Sequence, residues 1–156
     1  MKDTLRHLCV VMERRTLSNP WIDHQWEAIA VLPERAESAP VCLLRDEMSE
    51  QWLYPALCLA LHVDEVDDYL LNLQAPEPRL FVITRVQESR PEPAFLSVSY
   101  GEAARMLDAG ETVDGIPMPP ELWNWVAQFS EQHFRAPEPK KPKRYARAPQ
   151  VEGARP

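Results

Sequence analysis

His7 and Cys9 stand two residues apart in an extended apolar run, so both side chains fall on one face of a strand and form half of a metal-ligand set. Zinc needs three or four protein ligands, and no second pair of this kind lies nearby in sequence. His62-Val63-Asp64-Glu65 sets an imidazole beside two carboxylates where an extended run gives way to a helix. Asp64 is expected to cap that helix, and the acidic residues after it to face its positive end. Ser18, Asp23 and His24 supply the residue types of a hydrolytic triad, but neighbours in one turn do not converge on a carbonyl, and no GxSxG elbow accompanies them. Asp64, Glu65, Asp67 and Asp68 form the densest carboxylate cluster. On a helix without a central glycine they do not make a calcium loop, and they read as a solvated or docking face. These groups assign no catalytic residue, metal site or cofactor.

Recognition chemistry is better represented. Glu13 to Trp26 places Arg14, Arg15, an Asn19-Pro20 turn, Trp21 and Trp26 between two apolar runs. Tryptophan is costly to expose, and arginine stacks as a cation on an indole face, so this connection reads as a packed corner or a contact surface. Trp123 and Trp125 lie two apart on a helix and point to different faces. Trp125 fits the core stripe, whereas Trp123 falls outside it and is expected to anchor an interface or cover a sheet edge. Lys140, Lys141, Lys143 and Arg144 form a basic run near the C-terminal end. The expected partner-binding set is therefore Arg14, Arg15, Trp21, Trp26, Trp123, Lys140, Lys141, Lys143 and Arg144.

The elements that must position these groups follow from periodicity. Leu5 to Glu13 reads as a strand with Leu8, Val10 and Met12 on one face and Cys9 and Val11 on the other, central because both faces are apolar. Trp26 to Leu32, Val41 to Asp46, Gln51 to His62 (bent at Pro55), Leu80 to Val86 and Ala94 to Val98 read as further strands, with Ser89 to Pro93 as a turn. Val66, Tyr69, Leu70 and Leu73 follow helical spacing, and Ser99-Tyr100-Gly101-Glu102 has the form of a capping box for a short helix ending at Gly110. Val113 to Met118 crosses back, and Pro119-Pro120 opens a last helix with the stripe Leu122, Trp125, Val126, Phe129 and His133. The expected fold is α+β, a mostly antiparallel sheet of about six strands with three helices over residues 1–134. A Pro/Lys/Arg-rich segment at 135–156 is expected to be disordered.

Composition narrows the function. Residues 1–134 carry 10 Lys and Arg against 22 Asp and Glu, while residues 135–156 carry 7 against 2. An acidic body with a basic end argues against nucleic acid, although the basic run alone could neutralise phosphates in a salt-dependent way. Sixteen prolines stand against four scattered glycines, so no glycine-rich loop can cradle a phosphate. Cys9, Cys42 and Cys58 are odd in number, form no CxxC, and sit in apolar runs, where reduced and buried thiols are expected. The N-terminal residues lack a signal-peptide pattern and no apolar run reaches a membrane-spanning length, so a soluble, cytoplasmic protein is expected.

Val10-Val11-Met12-Glu13-Arg14-Arg15, then Asn19-Pro20-Trp21, Trp26 and Ala30-Val31-Leu32-Pro33, resemble the opening of an uncharacterised family of small, mostly proteobacterial proteins labelled as a domain of unknown function. His62-x-Asp64-Glu65-x-x-x-Tyr69-x-x-Asn72-Leu73, Ile116-Pro117-Met118-Pro119, a tryptophan-bearing helix and a basic tail extend the resemblance over about residues 8–145. The family is typically encoded near molybdenum-dependent formate dehydrogenases and their maturation factors, and some members carry a label for molybdopterin-guanine dinucleotide synthesis. The resemblance thus implies a non-catalytic accessory or assembly protein whose partner is a formate dehydrogenase subunit or maturation factor. Its alternatives are an enzyme handling a molybdopterin nucleotide, or a nucleic-acid-binding regulator acting through the basic run.

Overall fold

Valine-rich extended runs and proline-punctuated loops build two antiparallel sheets in the computed structural model, which describes residues 3–16, 21, 24–88 and 90–134. Strands β1 (Leu5–Thr16), β2 (His24–Pro33), β3 (Val41–Arg45) and β4 (Ser49–Ala60) form one sheet in the order β2-β1-β4-β3. Strands β5 (Arg79–Gln87), β6 (Arg90–Ser97) and β7 (Thr112–Pro117) form the other in the order β6-β5-β7. Helices α1 (Val66–Leu73), α2 (Tyr100–Asp108) and α3 (Pro120–His133) complete an α+β fold. The strand count is seven, one above the expected six, because the segment expected to cross back at Val113 to Met118 pairs with β5 as β7.

β1 is central, as its two apolar faces require. Leu8, Val10 and Met12 enter the main core with Tyr54 and Leu59 of β4, Leu80 and Val82 of β5, and the buried stripes of α1 and α3. Cys9 and Val11 project to the opposite face and join Leu53, Ile29, Ala30 and Leu32 in a smaller cluster. The expectation that all three cysteines are buried fails for Cys42 on the edge strand β3 and for Cys58 on the interior strand β4, which are both exposed. Pro55 does bend β4. From Leu8 to Val10 the β1 partner advances from Leu57 to Tyr54, so β4 carries one extra residue there, and Ala56 takes φ +63°. This is a bulge, the form in which a strand accommodates a proline that cannot donate to the ladder.

Two local expectations are corrected. Arg90 to Pro93 is not a turn. It opens β6, whose prolines Pro91 and Pro93 pair opposite Val86 and Thr84, a placement open to them because β6 is an edge strand. Asp64 does not cap α1. The chain enters α1 through a 3-10 turn at Val63–Glu65, Glu65 occupies the cap position, and neither turn nor helix has a side-chain cap bond. Glu65 is instead drawn toward α2, where its carboxylate accepts from Ser99 Oγ and from Arg105 Nη2 at 3.0 Å. Ser99 Oγ also accepts from the Glu102 amide at 3.0 Å, so the capping box forms as the sequence indicated on its N-cap side.

The segment His62 to Leu73 fixes α1 to the second sheet. The Tyr69 hydroxyl accepts from the His62 amide at 2.9 Å, and the fully buried Asn72 donates to Arg79 O at 2.8 Å and Val98 O at 2.9 Å. The Asn72 Oδ1 atom accepts from the Arg79 amide at 2.9 Å, so a buried polar side chain is satisfied on both its donor and acceptor atoms. No helix among the described residues is long and apolar enough to cross a membrane.

Candidate protein-interaction surface

The Glu13–Trp26 stretch is mostly strand. β1 continues to Thr16 and β2 begins at His24, with Arg14 opposite Trp26 and Arg15 opposite Gln25, so the connection shrinks to residues 17–23. Ser18 and Asp23 lie outside the described residues, as does the His24 side chain. Alternation then sends Arg14 and Trp26 to the inner face and Arg15 to the outer one.

On the inner face the sheets converge on one carboxylate. Glu50 on β4 lies opposite Arg14 on β1 and Arg45 on β3. Its side chain is only 15% exposed and meets Arg14 Nε at 3.4 Å, Arg45 Nη2 at 3.2 Å and Arg90 Nη1 at 4.0 Å. The Trp52 indole N–H donates to Glu50 Oε2 at 2.6 Å. That bond, with help from the Arg45 guanidinium, holds the Glu50 carboxyl below the usual glutamate range against the opposing effect of desolvation. The guanidinium carbon of Arg90 sits 4.4 Å from the Trp52 ring centroid and 5.8 Å from that of Trp26, and Arg45 lies 5.6 Å from Trp52. Arg90 thus bridges two indoles while pairing with Glu92 at 3.9 Å. Beneath this layer the Tyr54 hydroxyl is buried without a hydrogen-bond partner, and its burial pushes its pKa up.

On the outer face Arg15 pairs with Glu27 and, at 3.3 Å, with Glu13, which also accepts from Gln51 Nε2 at 2.8 Å. Four arginines (Arg14, Arg15, Arg45, Arg90) therefore meet four glutamates (Glu13, Glu27, Glu50, Glu92) around this end of the sheet. The charges match, so the cluster offers no excess positive field for an anion. Sequence reasoning found Arg14 and Trp26 but missed Trp52, Arg45, Glu50 and Arg90. The alternating Glu50-x-Trp52 pattern on a long strand was the available signal, and the turn reading of residues 89–93 hid Arg90.

The tryptophans outside this cluster behave differently. Trp21 is 88% exposed. Trp123 on α3 is 39% exposed, and its indole N–H donates to Leu73 O at the end of α1, at 3.3 Å. It therefore shows an aromatic edge to solvent while fixed in place. Trp125 is buried as its stripe position required, with its indole donating to Asp3 O at 3.1 Å and Arg6 stacked 4.4 Å above it. Lys140, Lys141, Lys143 and Arg144 lie outside the described residues.

The residues considered for chemistry do not converge. Cys9 is fully buried while His7 is exposed, lining a cleft of about 450 Å³ with Arg6, Glu34 and Glu121. Among the described residues no three His, Cys, Asp or Glu side chains gather in a metal-holding group. Asp64 and Asp67 are exposed and Asp68 is half-buried, as a largely solvated acidic face would be.

Comparison with known proteins places this geometry in a family without fixing its role. Neither the curated proteins nor the solved structures contain a match to this chain. A family profile described as "Protein of unknown function (DUF3305)" matches residues 7–144, covering both sheets, all three helices and the basic run. The chain belongs to the DUF3305 family.

Proposed function

We propose that this chain is a non-catalytic accessory protein that binds a partner protein during maturation or assembly of a molybdenum-dependent formate dehydrogenase. The carrying observation is the pair of surface tryptophans, Trp21 at 88% and Trp123 at 39% exposure, on a body whose other tryptophans are half or fully buried. A large aromatic side chain held at the surface is the residue type that anchors protein interfaces. The formate dehydrogenase setting is supported by the resemblance carried by residues 10–15 and the Asn19-Pro20-Trp21 segment.

The test is affinity purification of the tagged full chain from its native host, with mass spectrometry and a formate dehydrogenase assay. The wild type is expected to retain a molybdoenzyme subunit or maturation factor. The Trp21→Ala/Arg15→Ala double variant is expected to lose most of it, with a matching drop in activity. Unchanged recovery and activity in the double variant would remove Trp21 and Arg15 from the contact surface. Failure of the wild type to retain any such factor would remove the accessory role.

A further inference from the structure

Helices α1 and α3 run antiparallel, as two contacts show: Trp123 near the start of α3 bonds Leu73 at the end of α1, and the Phe129 ring lies 6.2 Å from that of Tyr69. Between them lies a groove of about 380 Å³ with an apolar floor of Leu70, Leu73 and Ala127, closed at its ends by Trp123 and Phe134. Phe134 is 47% exposed, and Leu71 beside the groove is 57% exposed. The Ser130 hydroxyl, fully buried in the same lining, has no hydrogen-bond partner. Neither helix contains a lysine or arginine, and four of their residues (Asp67, Asp68, Glu121, Glu131) bear carboxyl groups. Glu131 lines the groove, and Asp67 lies on the same stripe of α1 as Leu70 and Gln74, so both carboxylates flank the end distant from Trp123.

We infer that this groove seats an amphipathic helix of the partner protein, with apolar anchors toward Leu70, Ala127 and Trp123 and a lysine or arginine at the end beside Asp67 and Glu131. The inference rests on the partner-binding reading and supplies the chemistry that the partner must have. Charge selects the occupant, because two facing helices that carry carboxylates and no lysine or arginine repel an anionic segment and steer a cationic one. Length selects its form: α1 spans eight residues, about 12 Å of helix, which matches two turns with anchors at i, i+3 or i+4, and i+7. Trp123 provides the affinity, since its indole is fixed before binding and loses little freedom when covered.

Calorimetry on the full chain with two synthetic peptides of about 14 residues tests this, one a Leu/Lys amphipathic helix and the other its Leu/Glu counterpart. The full chain is expected to bind the Leu/Lys peptide and not the other, with affinity about tenfold lower in Trp123→Ala and several-fold lower in Glu131→Lys. Ala127→Arg, which sets a long cation on the floor, is expected to abolish binding. The Trp123→Ala result stands by itself if Ala127→Arg does not fold. Equal affinity for both peptides, or for the wild type and Trp123→Ala, overturns the inference. Binding that appears only after Lys140, Lys141, Lys143 and Arg144 are all changed to Glu also overturns it, because the chain itself is then the occupant. A peptide result without partner recovery in the affinity purification leaves the groove standing and removes the accessory role. Recovery that depends on Trp21 and Arg15 with neither peptide bound does the reverse.

Discussion

Two aromatic regions of this protein use the same residue types to opposite ends. Around Glu50, Trp26 and Trp52 are half-buried, every neighbouring guanidinium has a carboxylate, and the Trp52 indole N–H, which makes the shortest bond to Glu50, is spent within the sheet. Between α1 and α3, Trp123 and Phe134 remain exposed, and the charged side chains carried by the two helices are all acidic. Arginine beside tryptophan is therefore a poor sign of recognition when glutamates accompany it in equal number. Unbalanced charge beside a fixed, exposed indole is the better sign. The Glu50 cluster holds strands together, and the α1–α3 groove is the proposed docking site.

The sharpest way to break this comparison is to truncate one tryptophan in each region. Trp52→Ala removes packing against the core, two cation–π contacts and the bond to Glu50. It should cost about 2–3 kcal/mol in urea denaturation, near the lower end for a buried aromatic because Trp52 is half-buried. Trp123→Ala should cost less than about 1 kcal/mol while weakening peptide binding, since much of its surface is already wet. Equal destabilisation by the two variants would show that Trp123 is also a structural residue and would erase the distinction.

How much of this was legible in the sequence depends on how local the cause is. The central strand was readable because Leu8, Val10 and Met12 alternate with Cys9 and Val11, and α3 because Leu122, Trp125, Val126 and Phe129 keep a helical period. The position of Trp123 off that stripe was readable for the same reason. The Glu50 cluster was not, since its members come from β1, β2, β3, β4 and β6, and only strand pairing brings Arg14, Arg45 and Arg90 to one carboxylate. The Asp64 cap failed because a tertiary partner outweighed a local preference: Glu65 turns toward Ser99 and Arg105, which the sequence places more than thirty residues away. Arg90 to Pro93 misled because prolines mark turns and edge strands alike.

The alkaline limb of stability reports on the floor under the groove. Burial pushes the Tyr69 hydroxyl up to about 12, while an unfolded tyrosine ionises near 10. A raised folded value means that the contribution is fully present below the unfolded value and is lost as pH rises through the folded one. Stability should therefore fall between about pH 10 and 12. Tyr69→Phe should flatten that fall while lowering stability at neutral pH by about 1 kcal/mol, because the His62 amide loses its acceptor. Urea midpoints measured across this range check it, and a parallel decline in wild type and Tyr69→Phe would place the titrating group elsewhere.

The acid limb reports on the other region, with a smaller effect. The Trp52 bond and the Arg45 guanidinium hold the Glu50 carboxyl below its ordinary range, so its contribution is present above the unfolded value and is lost as pH falls through the depressed folded one. Glu50→Gln keeps an oxygen to accept from the Trp52 indole but removes the charge shared by Arg14, Arg45 and Arg90. At pH 7 it should cost on the order of 1 kcal/mol, and the gap from wild type should close as pH falls below the ordinary glutamate range and through the depressed folded value. A gap that persists at low pH would mean that shape, and not charge, makes Glu50 matter. In that case the cluster would hold through its two indoles alone, and the contrast with the acidic groove would rest on exposure and no longer on charge balance.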